Sequence, residues 1–234
     1  MRKKITPKRI LKIVIGIFVF FTLPALLLFG YVYYKHHEDL PLGNQPEQAD
    51  ILAHKMLETL NYDAYKKANY IEWTFKKKRH YKWNKAENTC AVYWKNYTVN
   101  LDFNTPSNNS VLVSKVLASA EASTKLITEA KAYFTEDVFW LVAPYTVFNE
   151  GTTRQLVTAN NTNSLLVTYK NKEAYVWELN DDFSPKGFKM FNNKLPIDGV
   201  FMTWTDWTTV NDVQLPKFHN FLYFGMEFTD IIVK

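Results

Sequence analysis

From Ile13 to Tyr34 the chain runs 22 positions without a charged residue. About 20 apolar residues suffice to cross a bilayer as a helix. Pro24 falls inside the run, where a membrane helix tolerates it, and Tyr31, Tyr33 and Tyr34 stand where an interfacial aromatic belt belongs. Arg2, Lys3, Lys4, Lys8, Arg9 and Lys12 precede the run with no acidic residue among them, and Lys35 follows it. This pattern predicts an uncleaved anchor in the inner membrane. Residues 1–12 form a cytoplasmic tail, 13–34 a transmembrane helix, and the remainder lies in the periplasm or outside. A cleavable signal would need a small residue at Leu28 in "LFG", which is absent.

Beyond the anchor, residues 35–46 are polar, hold Pro41 and Pro46, and read as a spacer. From Glu47 the period becomes helical, with Ala49, Leu52, Met56 and Leu60 on one stripe and Asp63 capping "DAYKKA". After Asn69 it becomes two. "YIEWTFKK", "RHYKWN", "TCAVYWKN" and "YTVNLDF" each alternate apolar with polar residues, the grammar of half-buried antiparallel strands. "NTPSNNS" closes this meander, and Val116 to Phe134 switches back to helix with Leu117, Ile127 and Ala130 on its buried face. The run "VFWLV" follows and breaks at Pro144. Seven further strands are read from "RQLVTAN" to "GMEFTDIIV", "GVFMTWTDW" counting as one, with turns that include Asn160-Asn161. The expected fold class is α+β. A curved antiparallel sheet over residues 47–234 forms an open half-barrel with helices on its concave face, behind the N-terminal transmembrane helix.

Charge and residue chemistry narrow the function classes. Seven of the 28 basic residues flank the apolar run, so the remainder is slightly acidic against 23 Asp and Glu, which argues against a nucleic-acid partner. Cys90 is the single cysteine and reads as a small buried hydrophobe. His36, His37, His54, His80 and His219 show no metal-ligand spacing, and no nucleophile elbow, phosphate loop or dinucleotide fingerprint is present. No metal, cofactor or catalytic residue is therefore assigned. Asp206 lies between Trp204 and Trp207 and reads as a solvent-facing strand residue; Asn96, Asn108 and Asn160 match glycosylation sequons, a weak signal in an Asn-rich chain.

Three stretches, "RHYKWNKAENTCAVYW", "DVFWLVAPYTVFNEGT" and "AYVWELNDDFSPKGFKM", together make the chain resemble the LolA/LolB-like superfamily of lipoprotein carriers. The resemblance covers roughly Ala49 to Lys234. It implies a mid-chain helical segment lying against an open barrel. The carriers' latch arginine has no counterpart here, and their soluble or lipid-anchored form differs from a membrane helix.

The resulting expectation is a membrane-anchored, non-catalytic protein that holds a lipid, acyl chain or lipoprotein in an apolar cavity. Its walls are expected from Trp73, Phe75, Trp83, Trp94, Phe139, Trp140, Trp177 and Trp204. The alternative is a structural or partner-binding ectodomain in which the same aromatics close a filled core.

Overall fold

The computed structural model describes residues 7–159, 162–192, 196–222 and 224–234. Arg2, Lys3 and Lys4 of the basic tail, the Asn160-Asn161 turn and the Asn160 sequon lie outside the described residues. Helix α1 spans Pro7–His36 and continues through Pro24. It is long and apolar enough to cross a membrane, and none of it is buried by the rest of the chain.

The linking segment lies along the domain as a strap. Glu38 N–H donates to the Asp198 carbonyl at 3.0 Å, and Asn44 exchanges two backbone bonds with Leu156. The Glu38 carboxylate accepts from Lys189 Nζ at 2.6 Å. His37 Nδ1 accepts from Asp198 N–H, and its ring stacks on Tyr33 in α1 at 4.3 Å. Beneath the strap lies a second apolar cluster, Val157, Leu166, Ala174, Val176 and Phe191, on the sheet face opposite the main core.

Helix α2 (Pro46–Thr59) buries Ala49, Ala53, Met56 and Leu57 and leads into the short α3 (Tyr62–Lys67). The strands then follow in two meanders. The first holds β1 (Tyr70–Phe75), β2 (Arg79–Asn84), β3 (Thr89–Trp94), β4 (Tyr97–Asp102), β5 (Ser110–Val113) and β6 (Val116–Leu117). After helix α4 (Ala120–Val142) and a 3-10 turn, Ala143–Thr146, come β7 (Thr153–Ala159), β8 (Thr162–Thr168), β9 (Ala174–Leu179) and β10 (Pro185–Phe191). β11 (Val200–Thr203), β12 (Thr205–Val210), β13 (Val213–Phe221) and β14 (Phe224–Val233) complete the second meander. Pairing of β1 with β14 joins the two into one large open antiparallel sheet of 14 strands.

Three sequence expectations change here. The first meander continues past "NTPSNNS", because Ser114 and Lys115 both take positive φ (50° and 69°) and form the tight turn of a β5–β6 hairpin. Leu117 is consequently an exposed edge-strand residue. Helix α4 starts later, its N-terminus capped by the Ser119 side chain, and it extends to Val142. Its buried stripe is Leu126, Ala130, Phe134, Asp137 and Leu141. The segment "GVFMTWTDW" divides at Trp204, whose N–H makes a last bond to the Lys186 carbonyl of β10 before the chain continues as β12, paired with β13.

One face of the sheet carries the core. Ile71, Trp73 and Phe75, then Cys90, Val92 and Trp94, alternate inward along β1 and β3, as period-two patterning requires. Helix α4 packs on β4, β5 and β13, and α2 on β7 and β8. The antiparallel registers bring the β1–β2, β3–β4, β5–β6, β8–β9, β10–β11 and β13–β14 connections to one rim. The strap joins the domain at that same rim, on Asp198 and Gly199 of the β10–β11 connection.

Gly199 has φ +78°, and a Cβ there would fall 2.5 Å from the Glu38 Cβ. Gly199→Val adds backbone strain and a clash at the point where the strap docks, together worth about 1–2 kcal/mol or more. Limited proteolysis within residues 37–45 should accelerate at least about tenfold, while the melting of the sheet stays close to the parent's. An unchanged cleavage rate would mean that the strap is not held there.

Candidate functional site

A cavity of about 660 Å³ opens beside the C-terminal third of α4. Val138, Phe139, Trp140 and Val142 of α4 form one wall, and Met190, Met202, Phe221 and Met226 of the sheet form the other. Thioether side chains adapt their shape to irregular apolar occupants. Lys76, Glu136, Asn149, Asn171, Glu173 and Asn192 supply polar groups to the lining, and Phe224 stands at 67% exposure.

The sequence of α4 explains why its end faces this space. Asp137 is buried and accepts a bidentate bond from Arg79 on β2, Nε to Oδ2 at 2.6 Å and Nη2 to Oδ1 at 2.9 Å. Tyr81 Oη donates to the same Oδ2 at 2.5 Å. Burial pushes the Asp137 carboxyl above its ordinary range, against the pull of Tyr81 and Arg79. The fork geometry of the guanidinium matches an ionised carboxylate. With Asp137 held toward β2, the helical period turns Phe139 toward Tyr175 (centroids 5.0 Å) and Trp140 toward Phe188 (5.9 Å).

The helix then stops because Pro144 has no N–H to bond the Trp140 carbonyl. That carbonyl lies 2.7 Å from Nε2 of His219, a fully buried residue on β13 whose Nδ1 lies 3.0 Å from the Thr203 carbonyl. The shorter contact assigns the ring proton to Nε2. Burial lowers the His219 pKa to about 4, although both carbonyl contacts oppose that shift. The neutral ring therefore serves as a bracket between α4 and the sheet.

Of the eight aromatics expected as walls, Phe139 and Trp140 line the cavity. Trp73, Phe75, Trp94, Trp177 and Trp204 are closed core. Trp83 is half-buried and meets Phe134 edge-on at 5.6 Å. The indole N–H groups of Trp73, Trp94, Trp177 and Trp204 have no hydrogen-bond partner among the described residues. Each such donor costs about 1–3 kcal/mol, so packing holds these rings in place. Aromatic content alone does not single out the methionines of the wall. Their signal was Met190, Met202 and Met226 on three separate strands of one meander.

The remaining candidates are placed as follows. His80 lies between Thr74 Oγ1 (2.8 Å) and Glu72 Oε1 (3.0 Å), away from the carbonyls that hold His219. Asp206 is exposed and pairs with Lys217 at 3.1 Å. Cys90 is buried. Among the described residues no group of three His, Cys, Asp or Glu gathers as a metal site.

Two outcomes follow from this geometry. Asp137→Ala leaves Arg79 half-buried without its carboxylate and should lower unfolding free energy by about 3 kcal/mol in denaturant titration. A loss below about 1 kcal/mol would show that the triad does not hold α4. The His219 ring binds its proton less readily folded than unfolded, so stability falls as pH drops from about 6.5 toward 4. Between about pH 7 and 5 the loss should be roughly 2 kcal/mol. His219→Asn should be less stable at neutral pH yet lack that part of the slope.

No protein-family model, curated protein or solved structure matches this chain.

Proposed function

We propose that the protein is a membrane-anchored, non-catalytic binding protein whose cavity takes an acyl chain or similar apolar ligand. The observation that carries this reading is the cavity of about 660 Å³ walled by Phe139, Trp140, Met190, Met202, Phe221 and Met226. Small-molecule sites span about 300–1,000 Å³ and are mostly apolar with a few polar groups. Burial supplies the driving force, about 0.8 kcal/mol per CH₂ removed from water. Helix α4 contacts β4 and β5 on one side and, through Phe139, Tyr175 on β9 on the other. That span supports reading the sheet as an open half-barrel with helices on its concave face. The same reading is consistent with a place among LolA/LolB-like carriers. α1 serves as the inner-membrane anchor, with the basic tail in the cytoplasm and the sheet domain in the periplasm.

A second reading has one observation in its favour. Trp73 is fully buried against Tyr81 and Phe134, and Trp177 and Trp204 are fully buried against each other and Phe188, as in a filled structural ectodomain with no ligand.

Two substitutions separate the readings in a protein comprising residues 37–234, probed by displacement of a fluorescent fatty acid and by melting. Trp140→Ala should cost about 1–2 kcal/mol, less than the 3–5 kcal/mol of a closed core aromatic, and should weaken probe binding about tenfold. Met226→Trp should fill the space and abolish binding with little change in stability. In a filled core it would be overpacked by about 1–3 kcal/mol. Absence of probe binding by the parent protein, together with organic extracts free of lipid, would remove the ligand reading.

A further inference from the structure

The rim at which the strap joins the domain differs chemically from the opposite one. Its tight turns carry exposed lysines: Lys76, Lys77 and Lys78 between β1 and β2, Lys95 between β3 and β4, Lys115 between β5 and β6, and Lys170 and Lys172 between β8 and β9. At the far rim the corresponding turns hold Glu87, Asp181, Asp182 and Asp212 with one lysine, Lys85, whereas the near rim's connections set only Glu173 and Asp198 against its lysines among the described residues. The domain's near-neutral total therefore conceals a charge polarity from end to end.

Turn chemistry alone does not account for these lysines. Lys76, Lys77, Lys95, Lys115 and Lys172 all take positive φ, between 51° and 69°. Left-handed positions favour Gly, Asn or Asp. The far rim follows that preference at Asn88, Asn211 and Asp212 and departs from it once, at Phe183 (66°). On the near rim lysine stands repeatedly where the backbone prefers another residue. Such a local exception points to a function for the side chain.

Three further observations coincide at the same rim. The cavity opens there, since Lys76, Asn171 and Asn192 from three of its connections and Phe224 at the start of β14 belong to the lining. Apolar side chains stand exposed beside the lysines, Phe224 at 67% and Val116 at 69%. The end of α1 is tied there by the contacts of Glu38 with Asp198 and Lys189.

We propose that this lysine rim rests on the anionic headgroup surface of the bilayer that holds α1, so that the cavity mouth faces the lipid. Basic residues next to an anionic leaflet are attracted within a Debye length. Phe224 and Val116 then enter the interface as the apolar members of the contact. A short strap makes the geometry unavoidable, because the rim that receives the strap is the one nearest the membrane. The occupant of the cavity exchanges with the bilayer directly, without crossing water. This inference rests on the reading of α1 as an anchor and of the cavity as a lipid site, and it adds the orientation of that site.

The test is amide hydrogen exchange on the full chain in nanodiscs of phosphatidylcholine, alone or with about a third phosphatidylglycerol. Peptides covering the lysine turns should exchange at least about tenfold more slowly in the anionic discs, with the far-rim turns unchanged. Raising salt to about 0.5 M should remove the difference. The triple variant Lys78→Glu, Lys95→Glu, Lys172→Glu should melt like the parent and lose the protection. Equal exchange of the rim in both discs overturns the proposal and leaves the rim free for a soluble acidic partner. Protection that survives the triple variant overturns it as well. Fatty-acid displacement, run in parallel, keeps the two readings apart. A bound probe with an unprotected rim overturns the orientation alone, whereas a protected rim in a protein that binds no probe supports docking and removes the ligand. A chain that fails to enter either disc overturns both.

Discussion

A buried carboxylate dictates where the long helix lies. Asp137 is placed among apolar rings, and an unpaired charge in such a setting is too costly to persist. The Arg79 fork and the Tyr81 hydroxyl on β2 resolve that cost, and by doing so they set both the rotation of α4 and its position along the sheet. Arg79 is in turn sandwiched by aromatic faces, 4.4 Å from the Tyr133 ring and 5.3 Å from that of Phe75. Once this contact exists, the next turn of the helix must present Phe139 and Trp140 to the second meander. Pro144 and His219 then define where the helix ends.

The cavity is the residue of this arrangement. A helix laid across two meanders can pack closely on only part of the surface beneath it. Near β2 to β4 the fit is tight, and Phe134 fills the space among Trp73, Trp83 and Phe103. Over β10, β11 and β14 the facing side chains are flexible methionines, and a space remains. The same class of apolar contact thus yields closed core at one end of α4 and an open wall at the other.

Much of the fold was legible because period-two alternation is a local property. The four early strands follow the expected segments closely, since Ile71, Trp73 and Phe75 alternate with polar neighbours in the chain itself. The β5–β6 hairpin was hidden because its turn uses Ser114-Lys115 in place of Asn-Gly, and its second strand has two residues. The strap was hidden for a different reason: its partners Leu156, Lys189 and Asp198 are over a hundred positions away, and nothing in "HEDLPLGN" announces them. The wall residues were legible only in part. Period two tells which side chains face inward, but whether an inward tryptophan meets a neighbour or a void depends on where α4 crosses. Trp177 on β9 is closed in by its neighbours, whereas Trp140, carried on α4 itself, borders the cavity.

The seam between β1 and β14 has a consequence for how this chain acquires its structure. β1 follows the first short helices, and β14 is the last of the fourteen strands, yet they are neighbours in the middle of the sheet. Lys234 bonds back to Tyr70 through both its N–H and its carbonyl. Until that final segment is available, the first meander has an open edge at β1 and no route to the second. Pairings so distant in sequence form slowly, because loop closure precedes any reward. The half-made sheet must therefore be kept from pairing with other chains while its last strand is awaited. The assembly of the domain is a race between the arrival of β14 and the encounter of two unfinished edges.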